Sequence, residues 1–321
     1  MSVSQSGAVA DLFHRLRSEL CSLDMYTLCM CVLYSAMALV LYPYVPKASS
    51  ILFENVLIAA VIGGSILLKG LTGLRLFAMI RYFYIVPVIY MMYDQTHAFV
   101  RIVHPVDYDD VLITVDRLIF GLDPTVWLQK WSFPVVTEYL QICYFLFYVL
   151  PIMQAVELWR RGDLPKLVEF ARAMAFCYFV SYLLYFAMPA IGPRFTLHDY
   201  SALSLDLPGL AVTDLLRHLV NVGGGIPWNA TDPISVVNRD CMPSGHTMLT
   251  LTNLVLGFKN RSRYRWFFVV IGGSLIISTV YLRYHYVVDV LVGALLVAIV
   301  LPIEPRANRC VDNLKNIFSK V

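Results

Sequence analysis

The stretch that decides the architecture is 266–302, WFFVVIGGSLIISTVYLRYHYVVDVLVGALLVAIVLP. Two apolar runs, 266–282 and 286–302, flank a polar break at Arg283, Tyr284 and His285. Each run approaches the ~20 residues that a bilayer-crossing helix needs. Inside the second run sits Asp289, four residues after His285. A carboxylate in a membrane span is costly enough to mark a functional position.

The same ruler, moved outward, finds six more candidate spans, at 25–45, 51–69, 76–93, 132–153, 170–188 and 244–259. Pro87 and Pro151 interrupt apolar runs, which membrane helices tolerate. Glu54 falls within the second span and is expected to make a structural hydrogen bond inside the bundle. Composition agrees with so many spans: 59% of the 321 residues are hydrophobic and 15% charged, against about 25% charged in soluble domains. The sequence therefore predicts an all-α, polytopic membrane helix bundle of about eight transmembrane helices. Residues 1–321 read as a single integral-membrane domain, without internal repeats or low-complexity tracts. A net charge of +3 is too small to suggest nucleic-acid binding. No pair among the seven cysteines has metal-site spacing, and they read as small buried hydrophobes. No small-residue cleavage site follows the first apolar run, which reads as an uncleaved span.

Charge between the spans orients the bundle. With the N-terminus in the cytoplasm, the inside segments carry sixteen Lys and Arg and the outside segments eight, the bias that cytoplasmic loops show. Both termini are then cytoplasmic, 1–24 as an N-terminal segment and 303–321 as a tail. Two long segments face the periplasmic or lumenal side. The first, 94–131, holds Val111-Leu112-Ile113 and Leu118-Ile119-Phe120 and reads as an interfacial amphipathic helix, a surface cap. Its acids Asp107, Asp109 and Asp110 read as a solvated face. The second, 189–243, is rich in Gly, Pro and Asp, and a connection that long is usually functional. It also carries a glycosylation triplet, Asn229-Ala230-Thr231.

Three features meet at this outer depth. Met242-Pro243-Ser244-Gly245-His246-Thr247 opens the sixth span. Unpaired backbone N–H groups near Ser244 and Gly245 would favour an anion there, and His246 beside it could protonate a leaving alkoxide. His285 and Asp289 form the second feature. The carboxylate can take one imidazole nitrogen and leave the other free as a nucleophile. The third is Pro189-Ala190-Ile191-Gly192-Pro193-Arg194, whose guanidinium suits phosphate oxygens. Taken singly, each has a plainer explanation as a boundary histidine, a turn or a head-group anchor. Their convergence from three chain regions favours a site. Arg283 is balanced between a second phosphate ligand and a head-group anchor, and His198 is a secondary candidate.

These residues resemble the type 2 phosphatidic acid phosphatase superfamily, which has a six-helix membrane core. Pro243-Ser244-Gly245-His246 matches its second motif, and His285 with Asp289 its third. Within it the chain is most similar to the inositol phosphorylceramide synthase-like branch of inositolphosphotransferases. That similarity rests on Gly192-Pro193-Arg194, on Tyr281-Leu282-Arg283-Tyr284-His285-Tyr286 with Asp289, and on Asp116-Arg117, Phe120-Gly121 and Pro124. It covers roughly 105–302. The resemblance implies a phosphohistidine on His285, His246 as general acid and then base, and Ser244, Gly245 and Arg194 holding the phosphate. It implies no metal and no cofactor. Ala187 stands where the phosphatase pattern has lysine, and Ser278-Thr279 where it has Ser-Arg. Both changes remove positive charge from the pocket and favour phosphotransfer between lipid substrates, with Arg283 as a substitute cation. Hydrolysis by a lipid phosphate phosphatase is the alternative. A transporter would show paired repeats, and none is visible.

Overall fold

A computed structural model describes residues 19–318, with side chains as far as residue 313. Most of the expected N-terminal segment, including Arg15 and Arg17, lies outside the described residues, as do Lys320 and the Lys315 side chain. Every regular element described is helical. The main helices are α1 (Ser22–Val40), α2 (Ala48–Thr72), α3 (Arg75–Phe83), α4 (Ile85–Val103), α5 (Asp109–Phe120) and α6 (Pro134–Phe145). They continue with α7 (Val149–Arg160), α8 (Leu164–Leu184), α9 (Thr213–Gly223), α10 (Gly245–Lys259), α11 (Arg265–Tyr281) and α12 (Val287–Phe318).

All eight expected apolar runs are helical, and six stretches are long and apolar enough to cross a membrane: 22–40, 48–72, 75–103, 134–160, 164–184 and 287–313. The other two, α10 with 15 residues and α11 with 17, are shorter. The outward faces stay greasy: Val32, Phe53 and Val270 are 60% exposed or more. A surface of that kind needs lipid around it, and the chain is an integral membrane protein.

The prolines sit where they cost least. Pro87 and Pro151 fall in the first turns of α4 and α7, where no intrahelical N–H is lost. Two expected boundaries move. The third span does not stop at 93 but runs to Val103, because the polar residues beyond it find partners inside the bundle. Gln95 donates to Glu54 at 2.9 Å, Thr96 pairs with Tyr34 at 2.6 Å, and Lys47 meets Asp94 at 3.0 Å. Glu54 thus makes its structural bond. The segment 303–321 does not begin as a tail either. Helix α12 continues through Pro302 and Pro305, held by an ion pair of 2.6 Å between Glu304 and Arg172. Cys29 is also exposed rather than buried, while Cys31, Cys143 and Cys177 are buried as expected.

The core helices converge tightly. A Cβ at Gly293 of α12 would meet the Ser244 carbonyl at 2.7 Å, and one at Gly272 of α11 would meet Leu254 of α10 at 2.7 Å. The basic connections gather at one end, where Glu157 accepts from Ser262 and Arg263 and Lys259 pairs with Glu169 at 2.5 Å. Nearby, Asp24 and Arg81 form a buried ion pair of 2.6 Å. The connections at the opposite end carry the histidines.

Candidate active site

Between α11 and α12 the chain turns within five residues. Arg283 adopts a left-handed conformation, φ 67°, and the N–H groups of Tyr284 and His285 both return to the Thr279 carbonyl at 2.9 and 3.0 Å. This ends α11 and leaves His285 just ahead of α12. The four-residue spacing to Asp289 therefore does not work through a shared helix face. Asp289 is the third residue of α12, and its Oδ2 reaches back to accept the Tyr286 N–H at 3.1 Å, half of a capping box. That same oxygen lies 3.3 Å from His285 Nδ1.

The tautomer follows from a carbonyl. His285 Nδ1 is 3.0 Å from the Cys241 carbonyl oxygen, which can only accept, so Nδ1 carries the proton. Nε2 keeps its lone pair and faces His246 Nδ1 at 3.3 Å, which must then be the donor. Both rings are enclosed. His285 is 3% exposed, and His246 lies against Tyr144 and Phe147, with ring centroids at 4.6 and 4.4 Å. Burial works against charge on His285, yet Asp289 beside it outweighs that and holds the imidazole above its ordinary value.

Arg194 closes the other side. Its backbone N–H bonds the Arg283 carbonyl at 3.0 Å, its NH1 reaches Asn221 at 2.8 Å, and its guanidinium lies 4.7 Å over Tyr284. Tyr284 stacks on Tyr144 at 4.4 Å, and Tyr144 on His246. Arginine, two tyrosines and histidine thus form one column. Arg194, His246, His285, Asp240 and Cys241 line a cleft of about 40 Å³. The buried Arg194 Nε has no hydrogen-bond partner among the described residues, so a donor remains for an anion.

Gly192 explains the close approach of these loops. Its φ is 94°, and a Cβ there would stand 2.6 Å from the Tyr284 carbonyl oxygen. We expect Gly192→Ala to cost about 3 kcal/mol or more, from a strained backbone and a forced displacement of that carbonyl. A thermal melt of the solubilised protein checks this, and an unchanged melting temperature would refute it.

Helix α5 is more than a surface cap, and Asp109 is not on a solvated face. Asp109 is 4% exposed and accepts from the N–H groups of Ile191 and Gly192 and from the Tyr286 hydroxyl, at 3.0, 2.8 and 2.8 Å. Asp116, 2% exposed, accepts from Val287 and Val288 N–H at 2.9 and 2.8 Å. It caps α12 from another part of the chain, where a carboxylate suits the positive helix end. Burial raises both carboxyls, against the pull of their N–H donors. Asp110 is exposed as expected, while Asp107 pairs with Arg239.

Other expected residues fall elsewhere. Ser244 is fully buried and caps α10; its Oγ accepts from Thr247 N–H at 3.3 Å, and its own N–H goes to the Asp289 carbonyl at 3.2 Å. Gly245 packs under Tyr185, whose hydroxyl a Cβ would meet at 2.4 Å. Neither residue lines the small cleft. Arg283 lies apart from it too, as neither a head-group anchor nor a second cleft cation. Its side chain is 0% exposed and paired with Asp206 at 2.8 Å. His198 bonds Thr125 at 3.0 Å; burial and the nearby Arg283 charge push it down to about 4. Sequence reasoning missed Asp109, Asp116, Tyr144, Asn221, Asp240 and Cys241. Of these, only Cys241 and Asp240 carried a signal, as immediate neighbours of the Pro-Ser-Gly-His run.

Cys241 Sγ donates to Asp289 Oδ2 at 2.8 Å. These two atoms and His285 Nδ1 lie within 4.8 Å of one another, a donor set of the kind that holds zinc, here joined by hydrogen bonds. Burial, then the charge of Asp289, pushes the Cys241 thiol well up and keeps it a donor.

A family model described as PAP2 superfamily matches residues 110–303. The match begins inside α5, so α1 to α4 lie outside it. No curated protein and no solved structure matches the chain.

Proposed function

Because this chain belongs to the PAP2 superfamily, whose enzymes are lipid phosphatases and phosphotransferases, we propose that it moves a phospho-head-group between lipids through a phosphohistidine on His285. The observation that carries this is the 3.3 Å contact from His285 Nε2 to His246 Nδ1, with Asp289 behind the first ring. Nε2 attacks phosphorus, the bond to the donor lipid's oxygen breaks, and His246 gives that oxygen its proton. Asp289 and the Cys241 carbonyl stabilise the proton left on Nδ1. Arg194 faces the phosphoryl oxygens. In the second half, His246 takes the proton from an acceptor hydroxyl, whose oxygen displaces Nε2 from phosphorus. No metal enters this reading.

Ala187 and Thr279, where the phosphatase pattern has cations, support transfer over hydrolysis, as in an inositol phosphorylceramide synthase-like enzyme. The excess of Lys and Arg at the end opposite the histidines supports cytoplasmic termini and a site on the periplasmic or lumenal face. Purified protein incubated with labelled phospholipid and acceptor alcohols should yield phosphorylated acceptor by mass spectrometry. Free phosphate as the sole product overturns transfer.

A further inference from the structure

A second cavity, of about 390 Å³, runs from the histidines down between α4, α7, α8 and α10. Along α8 its wall extends from Leu167 to Tyr185, which at 1.5 Å per residue is about 27 Å, nearly the thickness of a bilayer's hydrocarbon core. Apart from tyrosines, the polar side chains that line it are His246 and Asp240. Both stand at its upper end, and both also line the small cleft with His285 and Arg194. The groove therefore opens onto the reacting atoms at these two residues.

Asp240 is an odd companion for a phosphate. Among the described residues no Lys, Arg or His lies within ion-pair distance of it, and its Oδ2 accepts the Tyr93 hydroxyl at 2.5 Å. A carboxylate in that position repels phosphoryl oxygens and attracts an O–H group. Tyr93 comes from α4, outside the stretch that matches the family. One wall of the groove is thus supplied by the N-terminal helices, through Tyr82, Ile89 and Tyr93.

We infer that this groove and Asp240 together form the acceptor subsite, and that the acceptor is a long-chain amphiphilic alcohol. Its hydrocarbon chain lies in the groove, and its hydroxyl donates to Asp240 while its oxygen faces the phosphorus held on His285. As the new O–P bond forms, the hydroxyl proton passes to His246, the Nε2–P bond breaks, and its electron pair returns to Nε2. This rests on the phosphohistidine reading above and adds to it the identity of the acceptor and the residue that orients it.

The test uses full-length protein in mixed micelles with labelled phospholipid donor and primary alcohols of short, medium and long alkyl chain. Label on His285 is measured without acceptor, and transfer is measured with each alcohol. Wild type should transfer to long chains about tenfold or more faster than to short ones. Asp240→Asn should lower the ratio of transfer to His285 labelling by about ten- to hundredfold, the worth of a hydrogen bond to a charged group. Ile152→Trp, which narrows the groove at a half-exposed position, should shift the preference towards short chains. Equal rates at all chain lengths, or an unchanged ratio in Asp240→Asn, overturns the subsite while leaving the phosphohistidine reading in place. Absence of label on wild-type His285 overturns both.

Discussion

His285→Ala should leave less than about one ten-thousandth of the wild-type turnover of a labelled phospholipid. The reason is chemical rather than structural. The nucleophile supplies a covalent intermediate, and removing a nucleophile from a working catalytic group costs several powers of ten. The alanine variant should keep its fold, because the turn at 282–285 is held by backbone bonds to Thr279 and Arg194 that survive truncation. Size-exclusion behaviour like that of wild type, with no transferred product and no labelled protein, is the expected pattern. A variant retaining a tenth of the wild-type rate would remove His285 from the mechanism.

Asp289→Asn is the second large effect, expected at about a thousand- to ten-thousandfold in kcat with KM little changed. The carboxylate fixes Nδ1–H on His285 and offsets the positive charge that develops when Nε2 bonds to phosphorus. An amide presents an N–H in its place, favours the other tautomer and carries no charge. Its carbonyl oxygen can still accept the Tyr286 N–H, so the first turn of α12 has a cap to keep. Single-turnover measurement separates the outcomes. Slow labelling of His285 with normal donor binding fits this role, whereas lost binding with normal labelling in the bound fraction contradicts it.

Much of the architecture was readable because a lipid-facing helix announces itself by length and apolar composition alone. The errors have specific causes. Asp94 to His97 broke the apolar run, so the third span seemed to stop there; the chain continues because those groups find partners on α1 and α2, which no local pattern reveals. Pro302 and Pro305 resemble a helix stop, and only the distant Arg172 explains why the helix persists around Glu304. The histidines and Arg194 were legible because their spacing forms motifs. Asp109 and Asp116 were not, since their partners are backbone N–H groups of residues at least 75 positions away. A carboxylate devoted to distant main chain looks, in sequence, like any acid on an amphipathic helix. Arg283 shows the reverse case: it stands next to a motif, yet its charge is absorbed by Asp206.

The proton on His246 Nδ1 has one more consequence. With it directed at Nε2 across 3.3 Å, the nucleophile's lone pair is already occupied in the resting protein, and the aromatic rings of Tyr144 and Phe147 shut the pair in. The enzyme therefore rests with its safety catch on. An incoming phosphoryl group must part the two imidazoles before either can act, so the movement that arms the nucleophile also leaves the acid beside the oxygen that needs its proton.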